Sequence, residues 1–194
     1  MTFARASIVT ELRGLLALKG ISTHEKIFLE GFSAGGIMAT RMALLQPDKV
    51  YAIAAGAPGS YATLPLTKYK GHTLNFHVGV ADYEKLMKRP FDFEAYKSVN
   101  QFLYIGDQDL KPNNSTLTYP GEIFSEYQVN QIRALFGETD PEILQNEAKL
   151  LQEIGCSVEF KLYPGVGHNS NDSQMYTDVI DFLKRMKDKI EAEN

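Results

Sequence analysis

Gly31-Phe32-Ser33-Ala34-Gly35, with Gly36 behind it, sets a serine among small residues, after a short apolar run and before an Ala-, Met- and Leu-rich stretch. A serine hydroxyl is a weak nucleophile until a base takes its proton, so the pattern does chemistry only where a histidine and a carboxylate reach it. Both occur downstream. Pro164-Gly165-Val166-Gly167-His168-Asn169 puts His168 in a Gly-flanked loop, and Gly106-Asp107-Gln108-Asp109 places two carboxylates behind another apolar run. Asp109 is preferred over Asp107 as the partner, because a carboxylate three residues past Gly106 has turned back toward the histidine loop. Asp107 then caps or braces the turn. The backbone N–H of Ala34 would hold an oxyanion at the start of the following helix, and Phe32 flanks the substrate. A Gly-rich turn that only packs tightly, or cradles a phosphate, is the competing reading; the phosphate-loop lysine and the dinucleotide spacing are both missing. His24, His72 and His77 read as histidines meeting solvent, with His72 leaving some room for substrate contact.

Three loops must therefore converge, and the elements between them say how. Residues 2 to 19 space Ile8, Leu12, Leu15 and Leu16 as an amphipathic helix that Gly20 stops. Lys26 to Glu30, carrying Ile27, Phe28 and Leu29, reads as a strand covered on both faces. A helix over Ile37 to Gln46 ends at Pro47, and Val50 to Ala55 is a second buried strand. Residues 57 to 98 have no sustained period and read as a cap-like insertion with short helical pieces. Gln101 to Ile105 is a third strand, followed by a polar loop through Pro120 and helices over about 121 to 136 and 140 to 154. Ser157 to Tyr163 is the fourth strand, and a helix from Asp172 to Lys189 presents Met175, Val179, Phe182, Leu183 and Met186 on one face. This alternation predicts an α/β protein with a parallel sheet of about four strands.

Composition bounds what such a chain can be. Its 194 residues, 44% hydrophobic and 23% charged, suit one globular domain spanning 1–194, with 57–98 inserted in it. The single Cys156 excludes a disulfide framework and a cysteine-based zinc cage, and no metal or cofactor is expected. Twenty basic against 24 acidic residues give a net charge of −4 with no basic patch, which argues against a nucleic-acid partner. No apolar stretch is long enough for a bilayer span, and Met1 to Ser7 carries no apolar leader core, so the expectation is a cytoplasmic protein without a membrane partner.

With Ser33, Asp109 and His168 in that order, the chain resembles the catalytic half of an α/β-hydrolase, over about residues 3 to 188. Gly31 to Gly36 and Tyr163 to His168 are most similar to esterase-type members near the polyhydroxyalkanoate depolymerases and feruloyl esterases. The resemblance implies a three-layer sandwich and cofactor-free cleavage of a small-molecule carboxylic ester through an acyl-enzyme. A prolyl-oligopeptidase-like peptidase and a weakly active or inactive remnant that acts by association are the alternatives. In the family the nucleophile follows the fifth strand of eight, and an earlier loop supplies a second oxyanion N–H. Only one helix and one strand precede Ser33 here, so the chain resembles an amino-terminal truncation, and the missing donor implies turnover lower by roughly a hundred- to a thousandfold. The nucleophile strand, residues 26–30, would then be a sheet edge through which two copies pair as a homodimer.

Overall fold

A computed structural model of the chain describes residues 3–59, 63–110 and 126–193. In chain order the elements are α1 (Phe3–Leu18), β1 (Ile27–Phe32), α2 (Ala34–Leu45), β2 (Val50–Gly56), β3 (Lys68–Tyr69), β4 (His72–Thr73), α3 (Tyr83–Met87), α4 (Phe93–Lys97), β5 (Asn100–Gly106), α5 (Glu126–Phe136), α6 (Asp140–Glu153), β6 (Val158–Tyr163) and α7 (Ser173–Ala192). Four strands form one sheet in the order β1-β2-β5-β6, and every neighbouring pair is parallel. All four carboxyl ends therefore lie along one rim of the sheet. The helix expected over 121 to 136 is described from Glu126, and the polar loop expected up to Pro120 falls largely outside the described residues.

The inner strands sort their side chains by the period of two that a pleated strand imposes. Ile53 and Ala55 of β2, with Leu103 and Ile105 of β5, pack on one face against α2, α5 and α6. Ala52, Ala54, Phe102 and Tyr104 face the other way, onto α7. Every residue of β2 and β5 is buried, which explains their near-continuous apolar sequence. Met175, Val179, Phe182, Met186 and Ile190 form the buried stripe of α7, each contributing about 1.5 to 3 kcal/mol of apolar burial. Asp172 caps this helix by accepting from the N–H groups of Gln174 and Met175. Thr139 and Glu142 form a capping box on α6.

Residues 57–98 hold the β3–β4 hairpin and two short helices. The hairpin turns through Lys70 and Gly71, both at positive φ (44° and 83°), the pairing that matches the twist of a two-residue hairpin. Leu64, Leu74, Val78, Tyr83 and Tyr96 send this stretch into the main core.

Two expectations change at the start of the chain. The apolar face of α1 is not a core face, since Leu12 and Leu15 are 54% and 60% exposed. Leu12, Arg13 and Leu16 line a groove beside β1, and Arg13 donates to the carbonyls of His24 and Glu25. Nor is β1 covered on both faces. Its Phe28 and Glu30, two residues apart on one face, are exposed, and β1 ends the sheet with β2 as its sole partner among the described residues.

Candidate active site

Ser33 stands at φ 56°, ψ −119°, between the last residue of β1 and the first of α2. Such angles are costly for a residue with a Cβ, about 1 to 3 kcal/mol, and persist only where the surroundings over-determine them. Those surroundings are backbone. The Ser33 N–H donates to the Gly56 carbonyl at 2.8 Å, and the Ser33 carbonyl accepts from the Ile37 N–H at 3.0 Å. A methyl group on Gly31 would lie 2.3 Å from the Gly35 carbonyl carbon, and one on Gly36 would lie 2.6 Å from the Gly56 oxygen. Strand and helix thus meet at backbone contact, and only glycine fits on either side. The pattern Gly31-Phe32-Ser33-Ala34-Gly35 leads one to expect that Gly31 and Gly35 supply the room for this turn, but a Cβ on Gly35 meets nothing within 4 Å. It lies on the exposed side of the first turn of α2, and the close approach is made by Gly31 and Gly36.

Although Ser33 occupies the N-cap position of α2, its side chain makes no capping hydrogen bond. The hydroxyl is thereby left for other work. Ala34 is exposed and opens the helix, so its N–H has no acceptor within α2 and stands at the positive end of the helix dipole.

His168 and Asp109 are in direct contact, with Nδ1 2.7 Å from Oδ2. Asp109 is 2% exposed, whereas the imidazole side chain remains 29% exposed. The histidine thus has one nitrogen held by a buried carboxylate and a face toward solvent. Phe32 touches both partners of the site. It directly precedes Ser33, and its ring lies 4.9 Å from that of His168 and 6.4 Å from that of Tyr104. Burial and the Glu30 carboxylate push the Tyr104 phenol up to about 12, so it stays neutral at physiological pH.

The β5 and β6 loops are joined tightly enough to set this geometry. A methyl on Gly106 would lie 2.0 Å from the Val166 carbonyl oxygen, which itself accepts from the Gln108 N–H at 2.9 Å. Asp107 accepts from the Gly165 N–H at 2.8 Å, tying the histidine loop to the carboxyl end of β5. The structure therefore places Asp109 on the imidazole and Asp107 on the loop backbone. Sequence reasoning missed Gly56, and it used Gly106 only as the start of a turn. A glycine closing each of two buried strands was the available signal, and its meaning depends on what packs there: the Tyr104 ring at Gly56 and the Val166 carbonyl at Gly106.

The remaining histidines divide. His24 and His72 are exposed. His77 is not a solvent-facing residue as expected: its Nδ1 is shielded, and burial together with nearby Arg41 pushes its pKa down to about 3. The imidazole is neutral at physiological pH.

A parallel sheet with helices on both faces, and a strained serine turn opposite a His–Asp pair at the carboxyl rim, define the α/β-hydrolase fold. Solved structures agree. The chain superimposes on poly(aspartic acid) hydrolase-1 from Sphingomonas sp. KT-1 with a TM-score of 0.54 at 17% identity, over 82% of this chain and 55% of that one. It matches a variant of Arabidopsis thaliana SOBER1 with a TM-score of 0.52 at 19% identity, over 93% of this chain and 61% of that one. The chain therefore spans somewhat more than half the length of these neighbours. No protein-family model matches the chain, and no curated protein matches it by sequence. No helix among the described residues is long and apolar enough to cross a membrane.

Proposed function

We propose that the chain carries the catalytic residues of a serine hydrolase that cleaves carboxylic esters. The observation that carries this reading is Ser33 in a strained turn with its hydroxyl not spent on capping α2, next to a ring that packs on an aspartate-bound imidazole. In this reading residues 1–194 are one catalytic domain, with 57–98 inserted between β2 and β5.

Ser33 Oγ attacks the acyl carbon while His168 Nε2 takes its proton, and Asp109 holds Nδ1–H so that Nε2 is the basic nitrogen. The carbonyl oxygen becomes an oxyanion beside the Ala34 N–H. Collapse expels the alcohol, which receives the proton back from His168 and leaves an acyl-serine. Water attacks the acyl group with the same histidine as base, and the acid departs.

A fluorophosphonate probe with mass mapping tests this. Labelling should fall on Ser33 and disappear in Ser33→Ala and His168→Ala. An unlabelled Ser33 in folded protein overturns the reading, and favours the alternative in which the chain acts by binding or association. That alternative draws on the exposed edge of β1. Comparing an activated aryl ester with the matching anilide separates ester from peptide-bond hydrolysis.

A further inference from the structure

His168 lies in a loop between Gly165 and Asn169, with Gly167 directly before it and Gly165 at φ 73°, so the local chain does little to fix where the imidazole points. Contacts from other elements bear on the ring instead. Asp109 Oδ2 stands 2.7 Å from Nδ1, and the Phe32 ring stands 4.9 Å from the imidazole, centre to centre, tilted by 50°. A hydrogen bond to one nitrogen sets the tautomer and the place of that atom, yet it leaves the ring free to turn about the line joining Nδ1 to Oδ2. A flat side chain against the imidazole limits that turning. It thereby limits where Nε2 lies relative to the Ser33 hydroxyl.

Phe32 suits this task because it is itself held. It ends β1, is half-buried, and packs against the buried clusters on both faces of the sheet. Tyr104 of β5 stands 6.4 Å from it, and Phe102 stacks on Tyr104 at 5.2 Å, so a row of aromatic rings runs from the sheet to the imidazole. Ser33 is the next residue in the chain, so the turn that carries the nucleophile also carries the ring against its base.

We infer that Phe32 is a positioning residue for His168: its ring holds the plane of the imidazole, and its negative π-face stabilises the imidazolium formed when Nε2 takes the Ser33 proton. This rests on the serine-hydrolase reading above, and it gives Phe32 a role through the base in place of a contact with substrate. The separation lies within the roughly 6 Å over which a cation is drawn to an aromatic face. No bond forms to Phe32. The proton passes from Oγ to Nε2, Asp109 answers the new charge at Nδ1, and the aromatic ring answers it from the side.

Replacing Phe32 in the full chain by mono-, di- and trifluorinated phenylalanine tests this, because fluorine drains the negative face while leaving the shape of the ring almost unchanged. Fluorophosphonate labelling of Ser33 and kcat for an activated aryl ester should both slow stepwise with fluorine count, by roughly three- to tenfold across the series. Acylation and deacylation both route a proton through His168, so the trend should appear whichever step limits turnover. Phe32→Leu keeps an apolar side chain without a ring, and should lower kcat by roughly tenfold with KM within about twofold. Phe32→Tyr keeps the ring and should hold kcat within about threefold. A flat or rising fluorine series with Ser33 still labelled overturns the inference and leaves the hydrolase reading standing. So does a Phe32→Leu protein that raises KM and spares kcat, which returns the ring to the substrate. Folded wild-type protein unlabelled at Ser33 overturns the hydrolase reading and this inference with it.

Discussion

The strain at Ser33 and its chemistry can be separated by substitution, because the backbone angles cost the same whether or not the hydroxyl reacts. Ser33→Gly should abolish ester hydrolysis and also raise unfolding stability by about 1 kcal/mol, since glycine adopts φ 56° freely. Denaturant titration beside an aryl-ester assay reads both; a loss of stability would mean that the turn is not held under strain. The two aspartates differ equally plainly. Asp109→Asn keeps the shape but presents the imidazole with the wrong partner, and should cost roughly ten-thousandfold in kcat by analogy with a serine-protease triad. Asp107→Asn keeps an oxygen that can accept from the Gly165 N–H, so its effect should be within about tenfold. The opposite ranking would assign the acid to Asp107.

Between elements, what matters is how closely backbones approach. β1 meets α2 through Gly31 and Gly36, and Gly36 packs onto the carbonyl of Gly56 that also accepts from Ser33. Gly36→Ala forces Cβ against main-chain atoms that cannot rotate away. It should cost about 1 to 3 kcal/mol of stability by overpacking and lower turnover by displacing Ser33. Gly35→Ala, one residue earlier in the same helix, meets open space and should instead stabilise by up to about 1 kcal/mol through helix propensity. Urea melts of the two variants form a matched pair. Equal destabilisation would show that the glycine run acts through flexibility and not through space.

At the scale of the whole molecule, one buried carboxyl couples the fold to pH. Glu147 of α6 is almost fully buried and accepts from the Thr63 N–H at 2.6 Å, so it clamps the start of the 63–98 stretch against the helical layer. Burial pushes its pKa up to about 8. The folded protein therefore keeps a proton that the unfolded chain releases near an ordinary glutamate pKa. Between those two values the native state binds more protons, and unfolding stability falls as pH rises. Glu147→Gln retains an acceptor for Thr63 and removes the titration. The variant should lose this pH dependence and melt at higher temperature than wild type near pH 8, while matching it near pH 4. Parallel pH profiles for the two proteins would exclude the clamp as the titrating group.

The loops that carry Ser33, Asp109 and His168 were legible in the sequence because each follows a strand, and a parallel sheet must deliver its strand-end loops to one rim. The strands β2 and β5 were legible for a related reason, since burial on both faces leaves a continuous apolar signature. Local pattern is silent about what lies beside an element. Nothing in Ile27-Phe28-Leu29 distinguishes an inner strand from an edge, and Leu12 and Leu15 repeat at helical spacing whether or not a core lies beneath them. The same limit hid what Gly56 and Gly106 make room for: a Cβ at Gly56 would meet the Tyr104 ring at 2.3 Å, and one at Gly106 would meet the Val166 carbonyl of the histidine loop at 2.0 Å. Periodicity and residue type determined the elements and the order of the reactive groups. Neighbour relations across the sheet decided which surfaces are covered, which aspartate meets the imidazole, and how Ser33 is held.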